Sequence, residues 1–251
     1  MLKYKRALLK LSGEVLAGQQ GAGIDFALAE EICAAIAGCV REGAQLGIVI
    51  GGGNFWRGRS SGKMDAVRAD QMGMLATMMN ALALADTFAQ LGQPALVQAA
   101  HVMPQFAGCI NKQEAVAALE SASVVIFGGG TGNPFFTTDS TAALRAAEIE
   151  AEVVLKATNV DGVYDRDPKK YIDAVKYDAL SHDDILAKRL NVMDATAAAL
   201  CRDKHIPMLV FNLSDPANIL RALRGENIGT LVAENGDERV IGEANNAPSG
   251  V

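Results

Sequence analysis

The sequence lacks an excess of positive charge. Its 251 residues include 23 Lys and Arg against 29 Asp and Glu, which gives a formal net charge of -6 at pH 7. A protein that binds DNA or RNA independently of sequence needs a basic stripe that displaces counterions from the phosphates. We therefore expect no nucleic-acid polymer as a partner, although the charge balance permits binding of one small phosphorylated molecule.

Cysteine and histidine are scarce and are not clustered. The residues concerned are Cys33, Cys39, Cys109, Cys201, His101, His182 and His205. The cysteines form no Cys-x-x-Cys pair, so the spacing predicts neither a zinc site nor a disulfide framework. We predict no metal held by protein ligands, and a buried position for Cys33 on the apolar face of a helix.

Long hydrophobic runs are missing as well. The N-terminal residues lead directly into a strand-like run without an apolar signal segment, so we expect no export signal. The apolar stretch 71–85 is shorter than the roughly 20 residues that span a bilayer, and it contains Thr77 and Asn80. These features predict a soluble cytoplasmic protein with no membrane partner.

Two common phosphate-binding signatures are absent. A Walker A loop requires G-x-x-x-x-G-K-[ST], but the Gly62-Lys63 pair is followed by Met64. The dinucleotide pattern G-x-G-x-x-G also fails, because the Gly-x-Gly runs in 51–53 and 128–132 lack the closing glycine. The sequence therefore excludes a P-loop enzyme and a standard Rossmann dehydrogenase.

The residues that are present predict an α/β protein. Half of them are hydrophobic, and short β-branched runs alternate with longer helical patterns from residue 4 to residue 232. This alternation is typical of a three-layer αβα sandwich around a mostly parallel central sheet. We expect a single domain over 1–232 and a polar C-terminal extension over 233–251.

Two local patterns give specific structural predictions. A helix predicted over 70–91 has a stripe of apolar side chains, which indicates either core or a subunit interface. The stripe consists of Met72, Leu75, Met79, Leu82 and Ala85. Further along, Asp161-Gly162 between apolar residues predicts a β-hairpin.

Three glycine-rich turns each follow a predicted strand, which places them at the carboxyl edge of the sheet, where ligands bind. In the first turn, 10–14, Lys10 adds a cation beside backbone N–H groups that suit phosphate oxygens. Taken alone, the segment 10–14 is better explained by a strand-end lysine that reaches solvent. The second turn has glycine at 51–53 and Arg57 beyond it, a combination that favours close approach of a phosphate to the main chain.

The third turn, 128–140, combines four features. It has a glycine platform, the aromatic pair Phe135-Phe136, threonine hydroxyls and an acid, Asp139, at a helix start. For Asp139 alone, a role as helix N-cap is the simple structural alternative. The whole segment favours a ligand-binding site.

Together these residues resemble the amino-acid kinase superfamily and, within it, the bacterial uridylate kinase family. The resemblance rests on five colinear motifs, 10–14, 50–54 with Arg57, 70–77, 130–140 and 156–164. It implies transfer of the ATP γ-phosphoryl group to UMP, giving UDP and ADP, in pyrimidine nucleotide biosynthesis. An N-terminal lobe would bind the acceptor and a C-terminal lobe would bind ATP, with Mg²⁺ held mainly by the ATP phosphates.

The resemblance also implies roles for particular residues. The catalytic set is Lys10, Asp139 and Lys156. The ATP-binding set is Lys10, Leu11, Ser12, Gly13, Gly53, Arg57, Thr158, Asn159, Tyr164 and Asp167. The UMP-binding set is Gly52, Asp70, Thr131, Gly132, Asn133, Pro134, Phe135, Phe136, Thr137 and Thr138. Lys10 would contact the transferring group, and Asp139 would orient it.

Regulation and assembly follow from the resemblance too. It implies activation by GTP, inhibition by UTP and assembly into homohexamers, with the helix 70–91 as an interface candidate. The segment associated with the GTP response corresponds to Gly18, Gln19, Gln20, Gly21, Ala22 and Gly23. Asn159 stands where some relatives have lysine, so a nucleotide contact there can differ.

Three alternatives stay open at the level of the sequence. The first is another kinase of the superfamily, acting on carbamate, aspartate, glutamate or acetylglutamate; Asp70 and the segment 131–138 favour a nucleotide acceptor instead. The second is a non-catalytic storage protein of this fold that binds nucleotide and metal oxyanions, against which Lys10 and Asp139 argue. The third is a regulatory or DNA-associated role, on which the sequence says nothing beyond the missing basic surface.

Overall fold

The computed structural model describes residues 1–57, 62–188, 190 and 192–234. The strands in these residues are β1 Arg6–Leu11, β2 Gln45–Ile50, β3 Ala95–Ala99, β4 Gly108–Cys109, β5 Val124–Gly128, β6 Val153–Thr158, β7 Val163–Tyr164, β8 Lys176–Tyr177, β9 Ala179–Ser181, β10 Met208–Asn212 and β11 Gly229–Ala233. The helices are α1 Gly13–Leu16, α2 Phe26–Arg41, α3 Ala66–Gln90, α4 Lys112–Glu120, α5 Thr138–Glu148, α6 His182–Ala187, α7 Ala195–Asp203 and α8 Asn218–Leu223. The predicted extension lies outside the described residues from position 235 onward.

The main sheet has the strand order β4-β3-β5-β2-β1-β6-β10-β11-β9. Its neighbouring strands pair in parallel except for β10 and β11, which are antiparallel. The predicted fold class is therefore confirmed. The strand that follows β1 in sequence, β2, lies on one side of the β1–β6 pair, and β10, which continues the sheet after β6, lies on the other side. The order of the strands therefore reverses between β1 and β6. In open α/β sheets such a switch point is where ligands bind.

Side chains of β1 alternate between the two helical layers, as the period of two in a strand requires. Ala7, Leu9 and Leu11 pack with residues of α2, α3 and α8 on one face of the sheet. Leu8 packs on the other face, with residues of α4, α5, α6 and α7. Lys10 lies on the same face as Leu8, which directs it toward α5.

Helix α3 is longer than the sequence predicted. Asp65 caps it by accepting a hydrogen bond from the Arg68 N–H at 3.1 Å, so the helix begins at Ala66. By length and composition alone α3 could cross a membrane, contrary to the expectation from 71–85. Half of its apolar window is buried, however, because Ala81, Leu84 and Phe88 pack against the sheet.

Four of the five residues of the predicted apolar stripe of α3 are exposed, whereas the fifth, Ala85, is partly buried against the core. Met72, Leu75, Met79 and Leu82 are 38%, 53%, 51% and 37% exposed. The interpretation of these side chains as core is therefore wrong. By contrast, the prediction for Cys33 is confirmed, since the residue is fully buried and burial raises the pKa of its thiol to about 12.

The prediction of a β-hairpin at Asp161-Gly162 is wrong. The strand that follows this pair, β7, pairs with β8 further along the chain, with Val163 opposite Tyr177. Gly162 is needed for close packing instead, because a Cβ there would lie 2.5 Å from Oγ1 of Thr230. Tertiary packing against β11 thus explains a glycine that looked like a turn residue.

Candidate active site

Two lysines and one aspartate form a buried ion cluster at the switch point. Lys10 on β1 is the register partner of Lys156 on β6, so both side chains project from the same face of the sheet. The first turn of α5 places Asp139 between them. Nζ of Lys10 lies 3.0 Å from Oδ1 of Asp139, and Nζ of Lys156 lies 2.5 Å from Oδ2. All three side chains are at most 14% exposed.

The electrostatics of the cluster favour an anion. Burial alone would raise the pKa of the Asp139 carboxyl, but the two ammonium groups outweigh burial and hold this pKa below its ordinary value. Burial lowers the pKa of Lys156, and the repulsion from Lys10 adds to this effect against the attraction of Asp139. The two lysines and Asp139 by themselves carry a formal charge of +1, and the carboxylate of Asp194 nearby also favours the protonated form of Lys156.

The start of α5 is fixed by Thr137 rather than by Asp139. Oγ1 of Thr137 accepts hydrogen bonds from the backbone N–H groups of Asp139 at 3.0 Å and Ser140 at 3.3 Å. The interpretation of Asp139 as N-cap is therefore wrong, and its carboxylate remains available to the lysines. Its position in the first turn also stabilises the negative charge, because a helix N-terminus carries partial positive charge.

Sequence reasoning missed Asp194 as a contact of this site. Its carboxylate accepts hydrogen bonds from Oγ1 of Thr137 and, at 2.9 Å, from Oγ of Ser140. It also caps α7 through the Ala197 N–H at 2.8 Å. Asp194 thus joins the N-termini of two helices beside Lys156, whose Nζ donates to the Val192 carbonyl. The sequence signals only the cap, since the link to α5 is nonlocal.

A first cleft, here called the α3 cleft, has a volume of about 350 Å³ and lies between α3 and the second and third glycine turns. The predicted site residues that line it are Gly52, Gly53, Asp70, Thr131, Asn133, Phe136, Thr137 and Thr138. Gly132 and Pro134 do not line it. Trp56 and Thr77 do, and sequence reasoning had not assigned them to the site.

Phe135 contributes its backbone to this region rather than its side chain. Its N–H donates to Oδ2 of Asp70 at 2.7 Å, while the ring is 72% exposed. Its φ is +71°, in the left-handed region that a non-glycine residue rarely adopts. Asp70 thus holds the third glycine turn in a strained conformation at the mouth of the α3 cleft.

A second cleft, here called the β6 cleft, has a volume of about 510 Å³. The predicted residues that line it are Lys156, Thr158, Tyr164 and Asp167. Asn159 is exposed and does not line it. Lys188 and Arg166 line it without having been predicted. Because Lys156 lines this cleft and Thr138, next to Asp139, lines the other, the ion cluster lies between the two.

The remaining predicted residues line neither cleft. Leu11, Ser12 and Gly13 form the first turn, which packs directly on the second: a Cβ on Gly13 would lie 2.4 Å from the Gly51 carbonyl oxygen, so this contact requires glycine. Arg57 forms an ion pair with Glu14 at 2.9 Å, and both side chains are exposed. Residues 18–23 begin with a 3₁₀ turn, Gly18–Gln20, at the surface.

Asp139 is not placed as a metal ligand. Both oxygens of Asp139 face lysine ammonium groups. Over the residues that the structure describes, no group of three or more His, Cys, Asp or Glu side chains is arranged to hold a metal. A hard cation that keeps its water and binds through phosphate oxygens is compatible with this donor set.

The chain is similar in sequence and fold to known kinases. The model of the amino acid kinase family matches residues 5–212. The UMP kinase of Bacillus anthracis is 37% identical with a TM-score of 0.89, over 93% of this chain and 97% of that one. The UMP kinase of Ureaplasma parvum is 38% identical with a TM-score of 0.87, over 93% and 100%. The uridylate kinase of Archaeoglobus fulgidus is 32% identical with a TM-score of 0.67, over 90% and 99%.

Proposed function

The chain belongs to the amino acid kinase family, and from this premise we propose that it is a UMP kinase, which transfers the γ-phosphoryl group of ATP to UMP and releases UDP and ADP. The observation that carries the proposal is the buried Lys10–Asp139–Lys156 cluster between two clefts. UMP kinases among the similar structures support the choice of acceptor. The product would enter pyrimidine nucleotide synthesis.

In the proposed mechanism the α3 cleft binds UMP and the β6 cleft binds ATP. An oxygen of the UMP phosphate forms a bond to the γ-phosphorus, the bond to the bridging oxygen breaks, and its electron pair leaves on ADP. The attacking phosphate is already anionic, so the protein supplies position and charge rather than a strong base. Mg²⁺, when bound with ATP, supplies further charge neutralisation on the phosphate oxygens.

Each residue of the ion cluster has a distinct task in this scheme. The Lys10 ammonium stabilises negative charge on the transferring group, and Lys156 does the same from the side of the β6 cleft. Asp139 holds both ammonium groups in place at 3.0 and 2.5 Å. Backbone N–H groups of Ser12, Gly13 and Gly53 add donors for the phosphates.

The walls of the two clefts fix the nucleosides. Asp70 and the threonines of 131–138 are polar partners for the ribose and base of UMP, and Phe136 offers an aromatic surface. Thr158, Tyr164 and Asp167 line the cleft assigned to ATP. We accordingly divide the domain 1–232 into an acceptor-binding N-terminal lobe and an ATP-binding C-terminal lobe.

The test is an ADP-release assay with Mg²⁺ and ATP against UMP, CMP, dTMP, AMP, glutamate and carbamate. We expect UMP to give the highest kcat/KM. A preference for glutamate or carbamate would assign the chain to another branch of the family. ADP release that is independent of every acceptor would contradict the transferase proposal.

We extend the proposal to regulation by GTP as activator and UTP as inhibitor, with loop 18–23 as the responsive segment. This loop touches the second glycine turn through one residue: the Gly23 N–H donates to the Asn54 carbonyl at 3.0 Å, and Nδ2 of Asn54 donates to the Gly23 carbonyl at 2.8 Å. Initial rates measured across GTP and UTP concentrations test it. Rates that neither nucleotide changes would contradict it.

A further inference from the structure

We propose that Thr77 and Asn80 are positioning residues that hold the second and third glycine turns in the arrangement needed for phosphoryl transfer. The proposal rests on the kinase function stated above. Thr77 and Asn80 are three residues apart on α3 and therefore share one face of the helix. Both side chains are buried, with exposures of 7% and 0%.

Thr77 holds the third turn. Its Oγ1 accepts a hydrogen bond from the Gly129 N–H at 2.9 Å and donates to the Met74 carbonyl at 2.7 Å. Gly129 has a φ of +81° immediately after β5 ends, so the chain turns away from the sheet at this point. The hydroxyl of Thr77 thus supplies the hydrogen-bond acceptor of a buried amide where the sheet ends.

Asn80 holds the second turn. Its Nδ2 donates to the Gly51 carbonyl at 2.7 Å and to Oδ1 of Asn54 at 2.8 Å. Its Oδ1 accepts from Nδ2 of Asn54 at 2.9 Å. Every donor and acceptor of the Asn80 side chain therefore has a partner in or beside this turn, which fixes its position against α3.

The effect of Asn80 extends to the first turn. The Gly51 carbonyl that Asn80 binds lies against Gly13, where a Cβ would come within 2.4 Å of its oxygen. The first turn begins at Lys10. A shift of the Gly51 carbonyl would thus move the backbone beside the lysine that contacts Asp139.

The same helix carries part of the α3 cleft. Asp70, Gly73 and Thr77 line the cleft at helical spacing, and Gly52 packs so closely on α3 that a Cβ would lie 2.7 Å from that of Ala76. Helix α3 therefore sets the distances among the acceptor site and two glycine turns. A misplacement of about 1 Å in such a site can lower the rate about a hundredfold.

The first experiment compares three substitutions: one removes the Thr77 hydroxyl, one keeps it, and one removes the hydroxyl of another buried threonine of α3. Thr77→Val removes the acceptor for Gly129 at nearly constant shape, and Thr77→Ser keeps the hydroxyl. The control is Thr87→Val, because Thr87 lies on the same helix, is 6% exposed, and bonds to the Ala83 carbonyl of α3 itself. Thermal unfolding is measured for each variant beside kcat and KM.

We expect Thr77→Val to lower kcat at saturating ATP and UMP by about tenfold or more. Thr77→Ser should stay within about threefold of the unsubstituted protein, and Thr87→Val within about twofold. A Thr77→Val protein with unchanged kcat would overturn the proposal. An equal loss in Thr87→Val would overturn it as well, because it would assign the effect to the stability of α3.

The second experiment needs no activity and separates the two proposals. Amide hydrogen exchange by NMR, without nucleotide, compares Gly129 with amides in the centre of β6. In Thr77→Val the Gly129 amide should exchange at least about tenfold faster while the β6 amides are unchanged, because only its acceptor is lost. Unchanged exchange at Gly129 would overturn the positioning role even if UMP is the substrate.

Asn80→Leu extends the same comparison to the second turn. Leucine has a similar size and removes both donors, so we expect a lower kcat and a shifted Gly51 region in the spectrum. If this variant does not fold, the Thr77 series decides the proposal alone. If the unsubstituted protein does not phosphorylate UMP, the proposed function fails, and the exchange data still decide whether Thr77 holds the turn.

Discussion

Among the single residues, Asp139 determines the charge state of its surroundings. Its carboxylate is buried, and its two oxygens face different lysines. Buried carboxylates usually favour the neutral form, but the ammonium groups reverse this preference and lower the pKa. The residue thus keeps two like charges together at the site, which neither lysine could do without it.

The first prediction concerns Lys10. Lys10→Ala should lower kcat by about a hundredfold or more, because a charge that stabilises the transition state is lost, while the KM for UMP changes little. Steady-state kinetics with both substrates measure the two parameters. Lys112→Ala is the control, since Lys112 is an exposed lysine paired with Glu150 at 2.6 Å. A Lys10→Ala enzyme with near-normal kcat would remove Lys10 from the mechanism.

The second prediction concerns pH. Burial and Lys10 both lower the pKa of Lys156, and Asp139 opposes them. Asp139→Asn removes the larger of the two opposing charges, the other being that of Asp194, so the pKa of Lys156 should fall further and its proton should be lost at a lower pH. The alkaline limb of the kcat profile should therefore move to lower pH in this variant. A limb at the same pH would show that Lys156 does not determine it.

Residues that stand beside a local motif could be selected as site candidates from the sequence, whereas contacts that depend on pairing across the sheet could not be predicted. Lys10 and Asp139 stand beside glycine-rich turns, which is a local signal. The contact of both Lys10 and Lys156 with Asp139 requires the register of β1 and β6, which no local pattern contains. Asp194 could be read only as a helix cap. Thr77 and Asn80 appeared as polar interruptions of an apolar helix, and only the fold shows what they contact.

Among the elements, α3 presents two different faces. One face carries Thr77 and Asn80 toward the glycine turns. Another exposes Met72, Leu75, Met79 and Leu82. Exposed apolar side chains in a row are typical of protein interfaces. We propose that this stripe is where copies of the chain associate, within the homohexamer that the sequence resemblance implies.

The third prediction tests this stripe. The double substitution Leu75→Glu with Met79→Glu should dissociate the assembly, because carboxylates buried at an interface are unfavourable. The mass of the particles measured by light scattering should therefore fall. Val175→Glu is the control, since Val175 is 60% exposed and lies on no helix. An unchanged assembly in the double variant would show that the stripe is not an interface. A single-chain mass for the unsubstituted protein would contradict association itself.

The prediction of elements failed once because packing outweighed local preference and once because a local cap was overlooked. Asp161-Gly162 has the composition of a turn, yet Gly162 is required by its contact with Thr230. Helix α3 started before the predicted position because the Asp65 cap was not recognised. The predicted alternation of strands and helices was correct, because the spacing of apolar residues along each element follows from the face that the element buries between the sheet and a helical layer.

For the molecule as a whole, one buried histidine makes stability depend on pH. His182 is 1% exposed at the start of α6. Burial lowers the pKa of its imidazole; the Ile206 backbone, Asp183 and Glu234 oppose this shift, and Arg202 adds to it. Below the ordinary value of 6.5 the unfolded chain binds a proton that the folded chain excludes. Stability from this residue is therefore fully present above that pH and is lost as the pH falls below it.

The fourth prediction concerns the loss of stability at acidic pH. The free energy of unfolding, measured with urea between pH 7.5 and 5, should decrease toward the acidic end in the unsubstituted protein. His182→Leu should flatten the curve in this interval, because no proton is then taken up on unfolding at this position. The substitution His101→Gln serves as the comparison, because His101 is exposed. Equal slopes in all three proteins would contradict the role of His182.

The register that places Lys10 opposite Lys156 makes the charge cluster sensitive to misalignment of β1 and β6 during folding. A slip of one residue between β1 and β6 would turn one of the two lysines to the opposite face of the sheet, away from Asp139. Such a molecule could keep most of its secondary structure and still lose its charge arrangement. Catalytic competence would then report on strand alignment more sensitively than circular dichroism, and specific activity would measure the fraction of molecules that folded in register.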